Sequence, residues 1–115
     1  MQDAAGGYVW TGTDPDGVTT NRNPIPLDTQ TWAFLATLDR RYSRSVNWPE
    51  KPCSRGRGVT GISYSTTDVS KVWLEGTGQM ALTLAIRGAQ GDARISRSLL
   101  ANVQKAQETT EHGDG

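Results

Sequence analysis

The sequence predicts an all-α fold made of two helical hairpins, with long irregular loops and room for a short β-hairpin. The phrase at residues 27–36 recurs in outline at residues 74–83, and each copy opens a stretch of helical periodicity. Prolines and glycines gather between these stretches, where turns and loops are expected. Repetition of this kind is typical of stacked helical hairpins.

The composition limits which classes of partner the protein can have. The 115 residues suit one domain with a small core, and 35% of them are hydrophobic. Twelve basic and twelve acidic residues cancel, so we expect no nucleic-acid partner. The chain has no apolar run of membrane-spanning length and no basic, apolar leader. We therefore expect a cytoplasmic protein with no membrane partner.

Cysteine and histidine occur once each, as Cys53 and His112. A lone cysteine excludes an internal disulfide and a thiolate cluster for zinc. A lone histidine in a polar tail argues against a histidine-based catalytic triad. We expect neither a metal site nor a cofactor.

The first 26 residues are predicted to be irregular. The run from Tyr8 to Trp10 is β-prone, and Asp14-Pro15-Asp16-Gly17 is a strong turn signal. Pro24 and Pro26 keep the backbone extended until a helix can start.

The first hairpin is predicted from an inner helix over 28–39 and an outer helix over 41–48. Asp28 is placed to cap the inner helix. Its apolar stripe follows helical spacing and consists of Thr31, Phe34, Leu35 and Leu38. Pro49 ends the outer helix.

The second hairpin follows a loop-like region, 50–71, in which Val59–Tyr64 is predicted to be extended. Its inner helix spans 77–87, with Thr77 at its start, and is apolar nearly all round, which predicts burial on several sides. Gly88 ends this helix, and Gly91-Asp92 starts an amphipathic outer helix over 92–107. Residues 1–107 form one partial domain, and the tail at 108–115 is predicted to be disordered.

Three phrases carry a family resemblance: Trp10-Thr11-Gly12-Thr13, residues 26–33 and residues 72–81. They resemble the C-terminal hairpins of bacterial α/α-toroid proteins of the six-hairpin glycosidase kind, over about residues 7–107. In that superfamily the inner helices point their N-terminal ends into a carbohydrate-binding funnel. A complete toroid has six hairpins, so the resemblance implies an incomplete toroid, a fragment of a longer enzyme.

Candidate site residues lie at the predicted helix entrances. Glycoside hydrolysis needs two carboxyl groups flanking one bond, and Asp28 and Glu75 are the natural catalytic pair. Aromatic platforms and hydroxyl-binding amides complete the predicted saccharide site, namely Trp10, Trp32, Trp73, Gln30 and Gln79.

Each candidate also has a structural interpretation. Asp28 is a helix cap in that interpretation, and Glu75 holds loop amides near Thr77. Trp32 and Trp73 then belong to the core, and the glutamine in the apolar helix, Gln79, pairs with loop backbone.

Two functions follow, and the sequence leaves both open. The first is a carbohydrate-active domain, a portion of a glycosidase-like toroid whose activity alone is uncertain. The second is a non-catalytic helical-hairpin fragment that binds a partner or another copy of itself through exposed apolar helix faces. A toroid that handles isoprenoid or other apolar substrates is a third, less supported by only eight aromatic residues.

Overall fold

The computed structural model describes residues 2–47, 54–56 and 59–109, and within these ranges the fold is helix-rich. The α-helices are α1 (Leu27–Thr37), α2 (Leu74–Arg87) and α3 (Asp92–Thr109). Short strands form two antiparallel pairs: β1 (Gly12–Thr13) with β2 (Thr20–Asn21), and β3 (Ser54–Gly56) with β4 (Val59–Gly61).

The strand pairs confirm the prediction of a short β-hairpin. In the first pair Gly12 lies opposite Asn21, and the Asp16 carboxylate accepts hydrogen bonds from the amides of Val18 and Thr19 inside the turn. In the second pair Val59 lies opposite Gly56. The extended segment predicted over 59–64 is a strand only as far as Gly61.

Helix α1 starts one residue earlier than predicted, and Asp28 is not its cap. The Leu27 amide donates to the carbonyl of Tyr64 at 2.8 Å, and Pro26 occupies the N-cap position without a side-chain capping bond. Asp28 lies inside the first turn and accepts from the Thr29 amide at 2.8 Å. The predicted cap is wrong because a distant backbone carbonyl already receives the first helical amide.

The C-terminal end of α1 also differs from the prediction. Thr31 and Phe34 are buried as expected, but Leu38 is 61% exposed and lies beyond the helix. Its φ of 52° is left-handed, and its amide closes the helix on the Phe34 carbonyl at 2.7 Å. Leu38 is therefore a C-cap residue and not part of the core.

The outer α-helix predicted over 41–48 is replaced by two single-turn 3₁₀ helices, Arg40–Tyr42 and Ser45–Asn47. Ser43 and Ser45 donate their hydroxyls to carbonyls three residues back, at 2.7 Å in both cases. Such local bonds compete with the α-helical pattern. Residue 48 lies outside the described residues.

Helix α2 begins at Leu74, three residues before the predicted start. Thr77 is thus inside the helix, where its hydroxyl donates to the Trp73 carbonyl at 2.8 Å and accepts from the Ile62 amide at 3.0 Å. Only one face of α2 is buried, because Leu82 and Ile86 are about half exposed. The prediction of burial on several sides is wrong.

Helices α2 and α3 form the predicted antiparallel hairpin. Gly88 closes α2 with a left-handed φ of 64°, as expected. The Ser96 hydroxyl donates to the Ala81 carbonyl at 2.7 Å across the buried seam. Helix α3 continues to Thr109, so the first two residues of the predicted tail are helical. The remaining tail, 110–115, lies outside the described residues.

Helices α1 and α2 lie side by side in parallel around a small core. A Cβ built on Gly76 would lie 2.8 Å from Leu27, which places the first turns together. The Thr31 hydroxyl lies 3.4 Å from the Gln79 amide oxygen, one turn farther along. The core comprises Leu27, Phe34, Val46, Ile62, Met80, Ala81, Leu84 and Leu99.

Candidate functional site

The segment Gly61–Thr66 positions the start of both parallel helices. The Ile62 carbonyl accepts from the Trp73 amide at 2.8 Å, next to the start of α2. The Tyr64 carbonyl accepts from the first amide of α1. Two carbonyls of this one segment therefore hold the two helix N-termini at the same end of the molecule.

The predicted catalytic carboxylates lie at this end. Asp28 is half-buried in the first turn of α1, and Glu75 is exposed in the first turn of α2. Glu75 Oε1 accepts from Gln79 Nε2 at 3.2 Å, and Thr31 Oγ1 lies 3.4 Å from Gln79 Oε1. The same hydroxyl lies 3.1 Å from the Asp28 carbonyl oxygen. A polar chain thus links the two first turns.

The structural interpretation paired Gln79 with loop backbone. Among the described residues, its side-chain amide instead contacts the side chains of Glu75 and Thr31. Gln79 is half-buried, and its amide group lies between Glu75 on its own helix and Thr31 on the neighbouring one. A polar residue in an apolar helix needs such partners. Gln79 therefore orients Glu75 from the side facing α1.

Gln30 is fully buried, and we assign it a structural role in place of the predicted sugar-binding one. Its Oε1 accepts from the Val9 amide at 2.8 Å, and its Nε2 lies 2.9 Å from the Val9 carbonyl and 3.1 Å from the Pro26 carbonyl. These contacts occupy both ends of the side-chain amide. Gln30 fastens the N-terminal segment to α1.

The three predicted aromatic platforms occupy different environments. Trp32 is 55% exposed on α1, one turn after Asp28. Trp10 is half-buried, with the Arg22 guanidinium carbon 5.8 Å from its ring centroid. Trp73 is half-buried, packs against the core, and meets the Tyr64 ring edge to face at a centroid distance of 5.1 Å.

Trp73 lines a surface cleft of about 560 Å³, which we call the aromatic cleft. The residues that line it are Pro24, Tyr64, Ser65, Thr67, Asp68, Lys71, Val72 and Trp73. The other predicted site residues, including Asp28 and Glu75, do not line it. The structure therefore brings one predicted platform into a cleft and leaves the carboxylates outside it.

The aromatic cleft carries charged groups of both signs. Asp68 Oδ1 accepts from the Ser70 hydroxyl at 2.5 Å and from the Ser70 amide at 2.9 Å. These bonds, the hydroxyl's first, hold the pKa of the Asp68 carboxyl below its usual range. Asp68 is therefore an ionised acceptor at neutral pH, while Lys71 contributes a donor.

Sequence reasoning missed Tyr64, Asp68 and Lys71 as site residues, because residues 50–71 carry no helical periodicity and no recognisable motif. The signal that could have found them is a polar segment flanked by Tyr64 and Trp73. Aromatic residues at both ends of a polar segment can pack against each other and close the segment into a loop. Tyr64 and Trp73 make this edge-to-face contact.

Comparison of the chain with family models, with curated proteins and with solved structures finds no match. Within the described ranges, no three histidine, cysteine or acidic side chains gather as a metal site would require. No helix among the same residues is long and apolar enough to cross a membrane.

Proposed function

We propose that the protein binds a saccharide in the aromatic cleft. The observation that carries the proposal is the pairing of Tyr64 and Trp73 beside Asp68 and Lys71 in one cleft of about 560 Å³. This volume falls in the range of small-molecule sites, which combine apolar walls with a few polar groups.

The chemistry of a sugar fits these groups. A pyranose ring has an apolar C–H face that packs on an aromatic ring, and Tyr64 is 52% exposed, so ring surface remains for a ligand. Asp68 Oδ1 is used by Ser70, which leaves Oδ2 to accept from a hydroxyl. Lys71 is exposed and can donate to ring or hydroxyl oxygens.

Hydrolysis by Asp28 and Glu75 is a further part of this proposal. Both carboxylates lie at the end of the helix pair from which the cleft residue Trp73 leads into α2. A saccharide longer than one unit would have to extend from the cleft to the first turns of the helices. The resemblance to glycosidases supports the proposal of hydrolysis. The proposal of saccharide binding depends only on the aromatic cleft.

Binding is tested by titrating the full chain with a panel of oligosaccharides while following calorimetric heat and tryptophan fluorescence. We expect one or more saccharides to bind, with affinity reduced at least tenfold in Tyr64→Ala and Asp68→Asn. Trp32→Phe is the matched control, because its indole is exposed but outside the cleft. Loss of binding in Trp32→Phe, with Tyr64→Ala unaffected, would move the site to α1 and contradict the proposal.

Hydrolysis is tested on whichever saccharide binds. We expect release of reducing ends by the unmodified chain and its loss in Glu75→Gln and Asp28→Asn, with binding retained. Binding without any release would limit the function to recognition. Release that persists in both variants would remove the two carboxylates from the mechanism.

Self-association is a second candidate, favoured by exposed apolar side chains on the two parallel helices. Trp32, Leu82 and Ile86 are 55%, 54% and 48% exposed. Surface of this kind marks interaction sites when it is contiguous. Sedimentation velocity over a wide concentration range tests whether the chain forms a dimer. Leu82→Glu should abolish the dimer. Leu100→Glu is the control, because Leu100 is exposed on α3, and it should leave the dimer intact.

A further inference from the structure

A second cleft lies at the opposite end of the parallel helices, where α1 and α2 terminate. Its volume is about 730 Å³, and we call it the C-terminal cleft. The residues that line it are Phe34, Leu38, Arg40, Ser43, Arg44, Asn47, Ile86, Arg87, Gly88, Ala89 and Gln90. Three of them are arginines, three are large apolar residues and none is acidic.

The arginines differ in how far their donors are already used. Arg87 is occupied, because it pairs with Asp92 and also donates to the Ser43 carbonyl. Arg44 uses one amine, which donates to the Ala5 carbonyl at 2.9 Å. The Arg40 guanidinium has no hydrogen bond or ion pair to any other described residue. Arg40 and Arg44 therefore retain donors for a ligand.

The charge balance of the cleft is positive. The ends of α1 and α2 each contribute roughly half a negative charge. Arg40 and Arg44 contribute two full positive charges, while the charge of Arg87 is cancelled by Asp92. A net charge of about +1 remains, which favours a monovalent anion.

Leu38 gives the cleft an apolar wall at a conformational cost. It holds a left-handed φ of 52° at the position where α2 has Gly88, and a leucine there is disfavoured by its Cβ. This backbone conformation leaves the Leu38 side chain 61% exposed, and the side chain lines the cleft together with Ile86. Residues held in costly conformations gather at functional sites.

We propose that the C-terminal cleft binds a small carboxylate with an apolar tail. Arg40 and Arg44 would hold the carboxylate, since guanidinium groups match its two oxygens. Leu38 and Ile86 would cover the tail. This site is separate from the aromatic cleft and does not depend on saccharide binding.

The test is an amide-resolved NMR titration of the full chain with sodium hexanoate at constant ionic strength. We expect saturable shifts at Gly88, Ala89 and Gln90. Sodium acetate supplies the charge without the tail, and 1-hexanol supplies the tail without the charge. Either control binding as tightly as hexanoate would overturn the proposal, as would the absence of saturable shifts.

Two variants locate the site. Arg40→Gln should weaken hexanoate about fivefold or more, whereas Arg94→Gln, an equal charge loss on α3 outside the cleft, should not. Leu38→Gly should also weaken hexanoate while raising the melting temperature, so that lost binding cannot be attributed to unfolding. Equal weakening by Arg40→Gln and Arg94→Gln would show only a general charge effect and would contradict the assignment.

Discussion

Arg87 and Asp92 form a two-point salt bridge across the turn that joins α2 to α3. Arg87 Nε lies 2.8 Å from Asp92 Oδ2, and Nη2 lies 2.7 Å from Oδ1. The remaining amine, Nη1, donates to the Ser43 carbonyl at 3.1 Å and lies 2.6 Å from Asn47 Oδ1. One guanidinium thus fastens the helical hairpin to the residue that ends the first 3₁₀ helix and to the last residue of the second.

Asp92→Asn should lower the free energy of unfolding by about 2–3 kcal/mol, because a largely buried guanidinium loses its counter-charge. Urea denaturation at pH 7 measures this. Asp39→Asn is the control, since Asp39 pairs with an Arg41 side chain that is 80% exposed. Its urea midpoint should hardly change. Equal midpoint shifts in the two variants would contradict the prediction that the buried Arg87–Asp92 bridge stabilises the fold more than the exposed Arg41–Asp39 pair.

The same carboxyl makes stability depend on pH. The Arg87 hydrogen bonds, and next the Ala89 amide, hold the pKa of the Asp92 carboxyl below its usual range, against the effect of burial. A pKa lowered by folding gives stability that is complete above the unfolded value of about 3.9 and lost as pH falls through the folded value. The difference in stability between the unmodified chain and Asp92→Asn should therefore shrink progressively as pH falls below about 4. A difference that stays constant from pH 7 to pH 3 would contradict this.

Gly76 and Gly78 should respond in opposite ways to alanine. A Cβ on Gly76 would lie 2.1 and 2.5 Å from two Trp73 ring carbons, whereas a Cβ on Gly78 meets nothing within 4 Å. Gly76→Ala should destabilise by about 2 kcal/mol and displace the Trp73 ring. Gly78→Ala should stabilise by about 0.5–1 kcal/mol through helix propensity. Thermal melts and near-ultraviolet circular dichroism measure both, and a tolerated Gly76→Ala would contradict the packing.

Gln30→Ala should cost about 2 kcal/mol, because it leaves the Val9 amide without its side-chain partner and leaves the Val9 carbonyl with only the Thr29 hydroxyl, at 3.4 Å. Hydrogen exchange at the Val9 amide should accelerate in this variant. Gln79→Ala is the matched control, since its contacts at 3.2 and 3.4 Å are long and it does not touch Val9. Unchanged exchange at Val9 in Gln30→Ala would contradict the fastening role.

Local signals in the sequence were sufficient where local physics decides the structure. Gly88 marks the end of α2, because a left-handed residue after a helix favours glycine. Asp92 marks the start of α3, because an acidic residue in the first turn complements the positive end of the helix dipole. Both features depend on residues fewer than six positions apart, and both could be predicted.

Long-range contacts decided the elements that could not be predicted. The start of α1 depends on the Tyr64 carbonyl, which no local rule connects to Leu27. The Ser45 hydroxyl oxygen lies 2.8 Å from the Gln30 carbonyl oxygen and 2.7 Å from the Tyr42 carbonyl oxygen. This contact with α1 favours a 3₁₀ helix where an α-helix was expected. The aromatic cleft also depends on long-range contacts. Tyr64 and Trp73 come together because Gly61–Thr66 is hydrogen-bonded next to the start of both helices.

Leu38 and Gly88 occupy equivalent positions at the ends of α1 and α2, with left-handed φ angles of 52° and 64°. Leu38→Gly should raise the free energy of unfolding by about 1 kcal/mol, because glycine adopts this conformation without a Cβ penalty. Gly88→Ala should lower it by about 1 kcal/mol, and by strain alone, since nothing lies within 4 Å of the added Cβ. Urea denaturation of both variants measures the two shifts. A destabilising Leu38→Gly would mean that the exposed leucine contributes packing that outweighs its backbone cost.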